Sequence, residues 1–252
     1  MKVLAIIPAR YASTRFPAKP LALLGGKPIV QRVYEQVAKM VERVVVATDD
    51  ERIYDTVASF GGEVVMTSPN LKSGTDRCAE AYEKLGCEAD IVINVQGDEP
   101  FIVTEQIATL VKCFENEAID IATLVKPFSA ESGIEALENP NSPKVVINER
   151  GEAIYFSRSV VPYLRDVERS EWLERHTFYK HIGMYAYRAE TLAEITQLPQ
   201  SSLEKAESLE QLRWLQNGYK IKVGITTQET IGIDTPDDMQ KALQFMNEIN
   251  NK

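Results

Sequence analysis

Nowhere along the chain do apolar residues run on for the roughly 20 positions that a membrane-spanning helix needs. The apolar start, Met1 to Ile7, breaks at Pro8 and turns basic only at Arg10, whereas a secretory signal places its basic residues first. Cysteine is scarce. Cys78, Cys87 and Cys113 are an odd number with no close spacing, which excludes a disulfide framework and a thiolate metal site. Reduced thiols and a cytoplasmic location are therefore expected. Positive charge is also short: a formal net charge of -9 excludes a general nucleic-acid binder, whose phosphate contacts need a basic surface. It leaves room for a local basic pocket. Internal repeats, low-complexity tracts and linkers rich in Pro, Gly or Ser are missing too. What remains is 252 residues with 44% hydrophobic and 26% charged side chains, enough for one large α/β domain or two small ones.

The first half alternates two periodicities. Val3–Ile7 is a continuous apolar run, as in a strand buried on both faces. Pro28 opens a helix with Ile29, Val33, Val37 and Met40 on one face. Strands are then predicted at Val44–Ala47, Val64–Met66 and Ile91–Val95, separated by helices over Glu51–Phe60 and from Ser73 to Leu85. Such alternation with short connections implies right-handed βαβ units and a largely parallel sheet. The second half differs. Val145–Ile147 and Ala153–Phe156 flank Glu149–Glu152 as a hairpin, and His181–Tyr187 is another strand. A helix is predicted over Ser208–Asn217, stopped by Gly218, then a strand at Val223–Ile225. Thr235 caps a last helix with Pro236 in its first position. One α/β domain with an inserted, partly antiparallel portion fits this order.

Between the first strand and the next element lies Pro8-Ala9-Arg10-Tyr11-Ala12-Ser13-Thr14-Arg15-Phe16-Pro17-Ala18-Lys19. Three cations, two hydroxyls and small residues stand together at the carboxyl end of a strand, where open α/β sheets bind ligands. A triphosphate needs that combination, with cations to neutralise charge on a leaving pyrophosphate. A solvated surface loop has the same residue types, and they do not decide between the two. The loop is neither a Walker A nor a Gly-x-Gly-x-x-Gly motif. The fourth strand runs into Gln96-Gly97-Asp98-Glu99-Pro100, and Gly232-Ile233-Asp234-Thr235-Pro236 precedes the last helix. Asp98 and Asp234 are candidate Mg²⁺ ligands, since that ion takes few protein oxygens and several from phosphate or water. Asp234 could instead simply complement the helix dipole. Glu99 is expected to be structural. Ser73-Gly74-Thr75-Asp76-Arg77 combines a helix start with an arginine, either as a plain cap or as an anchor for an anion or a base carbonyl.

Together these segments resemble the signature of sugar nucleotidyltransferases. Ile7-Pro8-Ala9-Arg10-Tyr11-Ala12-Ser13-Thr14-Arg15 is similar to the wording of the CMP-Kdo synthetases, the 3-deoxy-manno-octulosonate cytidylyltransferases. That family usually has glycine where this chain has Ala18, a change not expected to abolish activity. The resemblance covers nearly the whole chain. It implies an α/β fold of the nucleotide-diphospho-sugar transferase type (Rossmann-like, GT-A): a mixed sheet flanked by helices, with a smaller β-rich sugar-binding and dimerisation portion. Within a single domain, residues 1–125 would mainly bind nucleotide, 126–220 would mainly bind sugar and dimerise, and 221–252 would return to the main sheet.

The implied reaction joins CTP to 3-deoxy-D-manno-octulosonic acid (Kdo), releasing pyrophosphate and giving CMP-Kdo for lipopolysaccharide biosynthesis. The resemblance assigns catalysis to Arg10, Arg15, Lys19 and Asp98, and Mg²⁺ to Asp98 and Asp234. Nucleotide contacts fall to Pro8, Ala9, Arg10, Ser13, Lys19, Ser73, Arg77 and Gln96. The sugar acid, held through its carboxylate, falls to Gln96, Arg158, Arg165, His181, Tyr185, Glu210 and Gln211. His181 and Tyr185 share one strand face by two-residue alternation, and without the resemblance core packing is the plainer reading of both. A homodimer is implied; a nucleic-acid or membrane partner is not. The same reaction on 8-amino-Kdo or another sugar acid, glycosyl transfer, and a non-catalytic nucleotide-binding protein are the competing readings. Asp166 to His176 receives no function.

Overall fold

The computed structural model describes residues 1–12, 16–228 and 232–250. In chain order the elements are β1 (Val3–Ala9), β2 (Leu23–Leu24), β3 (Lys27–Pro28), α1 (Ile29–Val37), β4 (Arg43–Thr48), α2 (Glu51–Ser59), β5 (Glu63–Met66), α3 (Gly74–Leu85), β6 (Ile91–Asn94) and α4 (Thr104–Lys112). There follow β7 (Ile121–Pro127), α5 (Gly133–Glu138), β8 (Lys144–Ile147), β9 (Ala153–Ser157), α6 (Trp172–Arg175), β10 (Tyr179–Arg188), α7 (Ala189–Ile195), α8 (Ser202–Glu207), α9 (Gln211–Gln216), β11 (Ile221–Ile225) and α10 (Pro236–Asn250). They form two compact units, Met1–Ile107 with Thr230–Lys252, and Ala108–Glu229. In the second unit β7 pairs with both β10 and β11, and α10 belongs to the first unit.

In the first unit β6, β1, β4 and β5 lie side by side, all parallel. Leu4, Ala5, Ile6 and Ile7 are buried in its centre, as a strand covered on both faces requires. The chain moves outward from β1 through β4 to β5, then returns to place β6 on the other side of β1. The strand order therefore reverses at β1, and the crevice at the carboxyl ends of β1 and β6 is the natural ligand site of such a sheet. Ile29, Val30, Val33 and Val37 bury the inner stripe of α1; the helix ends there, and Met40 is left exposed in the following turn. Ser73 caps α3 through a reciprocal pair: its Oγ accepts from Asp76 N at 3.0 Å, and the Asp76 carboxylate accepts from Ser73 N at 3.1 Å.

In the second unit β7 runs parallel to β11 and antiparallel to β10, and β8 bridges β10 to β9. The expected hairpin is β8–β9. Between Ile182 and Tyr185 the β10–β7 register shifts: Ile182 faces Leu124, but Tyr185 faces Thr123. Gly183 and Met184 form the resulting bulge. The helix expected over Ser208–Asn217 is two helices. Ser208, at φ 52°, closes α8, and α9 starts only at Gln211. Asp166 to His176 contributes α6, whose Trp172 packs with Leu137 and Phe178 as a small separate core.

Candidate active site

Lys19 follows Ala18, which adopts the left-handed conformation at φ 58° and turns the chain into a short 3₁₀ segment, Lys19–Leu21. Ala18 N donates to Tyr11 O at 3.0 Å, closing the loop that leaves β1. An alanine there carries the Cβ penalty that glycine escapes, which explains why glycine is the expected residue. The ammonium of Lys19, only 14% exposed, donates to Asp98 Oδ2 at 2.5 Å and to Asp234 Oδ1 at 3.1 Å. Two carboxylates from distant parts of the sequence thus converge on one ammonium group. Ile233 N donates to Asp98 O at 2.9 Å and ties the two acidic segments together. Gly97 has a packing reason: a Cβ there would lie 2.8 Å from Pro8 O, so only glycine lets the loop after β6 rest against the end of β1.

Asp234 is oriented by a group that its motif alone does not reveal. The Asp238 carboxylate accepts from Asp234 N at 3.2 Å, Thr235 N at 3.0 Å and Thr235 Oγ1 at 2.8 Å, while Thr235 Oγ1 accepts from Asp238 N. Burial raises the Asp238 pKa, but the bonds from Thr235 and from the two backbone amides outweigh it, and the net shift is downward. This capping box leaves the side chain of Asp234 directed to Lys19. Among the described residues no cluster of three or more His, Cys, Asp or Glu could hold a metal. A Mg²⁺ ion shared with phosphate needs only one or two carboxylates, and Asp98 with Asp234 fits that donor set, a cation already standing between them.

Around this cluster Arg10 is exposed, Ala9 is buried and Pro8 is half-buried. Ser13 and Arg15 lie outside the described residues. A further cation escapes the sequence pattern: the Arg52 guanidinium lies 3.3 Å from the centroid of the Tyr11 ring, held by the Asp50 carboxylate at the start of α2. Gln96 is half-buried in the loop that carries Asp98. Ser73 and Gly74 start α3 beside Pro8, whose Cγ would lie 3.4 Å from a Cβ on Gly74. Arg77 does not join them at the surface. It is fully buried, with its guanidinium committed to Asp49 Oδ2 at 2.8 Å and to Thr67 Oγ1, so its role is to fix α3 against the end of β4.

The sugar-site candidates belong to the second unit. His181 and Tyr185 do share a face, across the bulge, with ring centroids 5.3 Å apart; Phe156 meets His181 edge-on at 5.2 Å. Trp214 of α9 packs edge-on against Tyr185 and Tyr187, which brings the start of α9 to the same place. There Gln211 is buried and its Nε2 has no hydrogen-bond partner among the described residues, while Glu210 accepts from Arg213 at 2.7 Å. Burial pushes the His181 pKa down to about 3, so the ring is neutral. Two arginines are engaged elsewhere in the chain. Arg158 donates to the carbonyls of Glu207, Pro140 and Ser208, and Glu207 in return accepts from Arg158 N and Ser157 Oγ. Its guanidinium thus anchors the turn before Glu210. Arg165 is exposed and lies 3.4 Å from the carboxylate of neighbouring Asp166.

No helix among the described residues is long and apolar enough to cross a membrane. A family model described as cytidylyltransferase matches residues 4–221. The chain is 66% identical to a 3-deoxy-manno-octulosonate cytidylyltransferase of Parabacteroides distasonis, with 98% of each chain covered. It is 63% identical to the protein of that name from Bacteroides thetaiotaomicron, again over 98% of each. The solved CTP complex of CMP:2-keto-3-deoxy-manno-octonic acid synthetase superposes with a TM-score of 0.90 at 42% identity, covering 98% of this chain and 99% of that one. A 4-diphosphocytidyl-2C-methyl-D-erythritol synthase from Anaerococcus prevotii, at 12% identity and a TM-score of 0.59 over 98% of each chain, shares the fold alone. With a family match over most of its length and relatives this near, the chain belongs to the cytidylyltransferases.

Proposed function

We propose that this chain activates Kdo: the anomeric hydroxyl oxygen bonds to the α-phosphorus of CTP as the bond from that phosphorus to the pyrophosphate oxygen breaks, giving CMP-Kdo and pyrophosphate. The observation that carries this reading is the convergence of Lys19, Asp98 and Asp234 at the exit of β1 and β6. Lys19 and Arg10 neutralise charge growing on the leaving phosphates, Arg15 joining them in the same loop. Pro8, Ala9, Ser73 and Gln96 line the nucleotide, with the amides at the start of α3 available to it. Asp98 and Asp234 would hold Mg²⁺, and the ion would supply Lewis acidity that lowers the pKa of a hydroxyl and offsets triphosphate charge. Positioning and electrostatics suffice, and no covalent enzyme intermediate forms.

His181, Tyr185, Glu210 and Gln211 recognise the sugar acid, supported by the packing of His181 on Tyr185, by that of Trp214 from the same helix as Gln211 on Tyr185, and by the unpartnered Gln211 Nε2. The enzyme works in the cytoplasm as a homodimer and supplies lipopolysaccharide biosynthesis. The free thiols fit a reducing compartment, and exposed Ile154 and Tyr163 fit a self-associating face.

The test is pyrophosphate release from CTP with Kdo, 8-amino-Kdo and a sialic acid, with and without Mg²⁺, alongside light scattering for mass. Fastest Mg²⁺-dependent release with Kdo is expected. CTP binding without release from any acid would overturn the reading.

A further inference from the structure

Thr123, buried on β7, has its hydroxyl oxygen 2.9 Å from Met184 O, 3.3 Å from Ile182 O and 3.0 Å from His181 Nε2. The bulge in β10 creates this grouping, by turning two strand carbonyls toward one side chain. A hydroxyl has one proton and two lone pairs. Both carbonyls can only accept, so the proton goes to Met184 O, the nearer of the two. A lone pair then faces the imidazole, and His181 Nε2 must supply the proton for that contact. The opposite arrangement would set hydroxyl lone pairs against two carbonyl oxygens. Nδ1 is left without a proton, as the acceptor of the neutral ring. Phe156 and Tyr185 hold the ring in this orientation from two sides.

We propose that Thr123 is a positioning residue that fixes His181 as the neutral Nε2–H tautomer, so that Nδ1 accepts a hydroxyl of the sugar acid and does not pair with its carboxylate. The tautomer stands on geometry alone; the sugar contact rests on the functional reading above. It assigns His181 to hydroxyl selection and leaves the carboxylate to donors such as the Gln211 amide. A residue that reads a hydroxyl through an acceptor lone pair disfavours an analogue that cannot donate there, because the acceptor loses its partner when the bound ligand excludes water.

Long-range proton–nitrogen correlation spectra of the ¹⁵N-labelled full chain test this directly. The chain has two histidines, so a His176→Gln variant assigns the signals. The wild type at neutral pH is expected to show His181 with Nε2 protonated and Nδ1 bare. An Nδ1–H tautomer or a doubly protonated ring would overturn the proposal. Thr123→Val is expected to shift the tautomer and to raise the KM for the sugar acid about tenfold, the loss of one buried hydrogen bond, while the KM for CTP and kcat stay near wild type. Thr123→Ser should restore both the spectrum and the KM. A raised KM in Thr123→Val with the tautomer unchanged would assign Thr123 to packing and overturn its positioning role. If Thr123→Val does not fold, the wild-type spectrum and the serine variant still decide. A wild type that releases no pyrophosphate with any sugar acid would remove the sugar contact along with the functional reading, and the spectrum would judge the tautomer separately.

Discussion

The first unit gathers charged groups: a mostly covered Lys19 between Asp98 and Asp234, the last of them 46% exposed, with Arg10 and the Arg52–Tyr11 stack nearby. The second gathers neutral groups under cover: His181, Tyr185 and Trp214 packed ring against ring, with an unpartnered amide at Gln211. The difference follows from what each would hold. Phosphates and a divalent ion arrive fully charged, so their site must offer exchangeable ion pairs that water can still reach. A sugar hydroxyl is neutral, and it is discriminated best by buried acceptors and donors that suffer when it is absent. Substitutions should therefore separate the two. In the charged cluster they should strike chemistry and leave the fold alone, whereas in the packed aromatic cluster they should strike stability and sugar affinity.

The sharpest separation is expected at Asp98. Asp98→Asn should lower turnover by about 10³-fold, the scale set by losing one electrostatic contact to the reacting phosphates. Its urea midpoint should stay at the wild-type value; a rate near wild type in pyrophosphate release would remove Asp98 from the mechanism. Lys144 is the counterpart in the second unit. It is fully buried, donates to the carbonyls of Asn139 and Arg158, and thereby supports the turn that Arg158 anchors. Lys144→Met keeps the volume but takes the donor from Arg158 O, while Asn139 O keeps its bond from Ser142 N, and denaturant titration should show a loss of about 1–3 kcal/mol.

Next, counted per pH unit, is an effect from His181. Its pKa falls from 6.5 to about 3 on folding, so between those values the unfolded chain binds the extra proton. Stability is complete above pH 6.5 and declines by about 1.4 kcal/mol per pH unit as pH falls toward 3. Titrating the His181→Gln variant in parallel should remove that part of the slope, and equal slopes would contradict the buried neutral ring. The smallest effect belongs to the loop. Ala18→Gly should stabilise the folded chain by about 1 kcal/mol, since glycine adopts φ 58° without the Cβ clash. A drop in melting temperature would show that Ala18 packs usefully.

Much of this was legible before any coordinates. The βαβ alternation, the hairpin at β8–β9 and the polar segments at strand ends follow from periodicity and from where open sheets leave room for ligands. Lys19, Asp98 and Asp234 were legible as candidates because each sits in a short motif at such an end. Pairings across long sequence distances were not. Arg77 looks like a free cation at a helix start, but Asp49, 28 residues earlier, neutralises it within the core. Arg158 resembles a sugar contact until three backbone carbonyls are found around it. Ser208 shows no breaker chemistry, yet its left-handed turn splits one predicted helix into two. Thr123 has no motif at all; only the β10 bulge brings its hydroxyl to His181. Asp238 was hidden for a milder reason, since a capping aspartate and a metal-orienting one have the same spacing.

Binding of Mn²⁺, a paramagnetic substitute for Mg²⁺, tests the shared-ion claim most directly, with a non-hydrolysable CTP analogue present. Electron spin resonance should count one ion per chain in the wild type, and both Asp98→Asn and Asp234→Asn should weaken it strongly while the analogue itself still binds. Unchanged manganese affinity in either variant would mean that the two carboxylates do not close on a common cation.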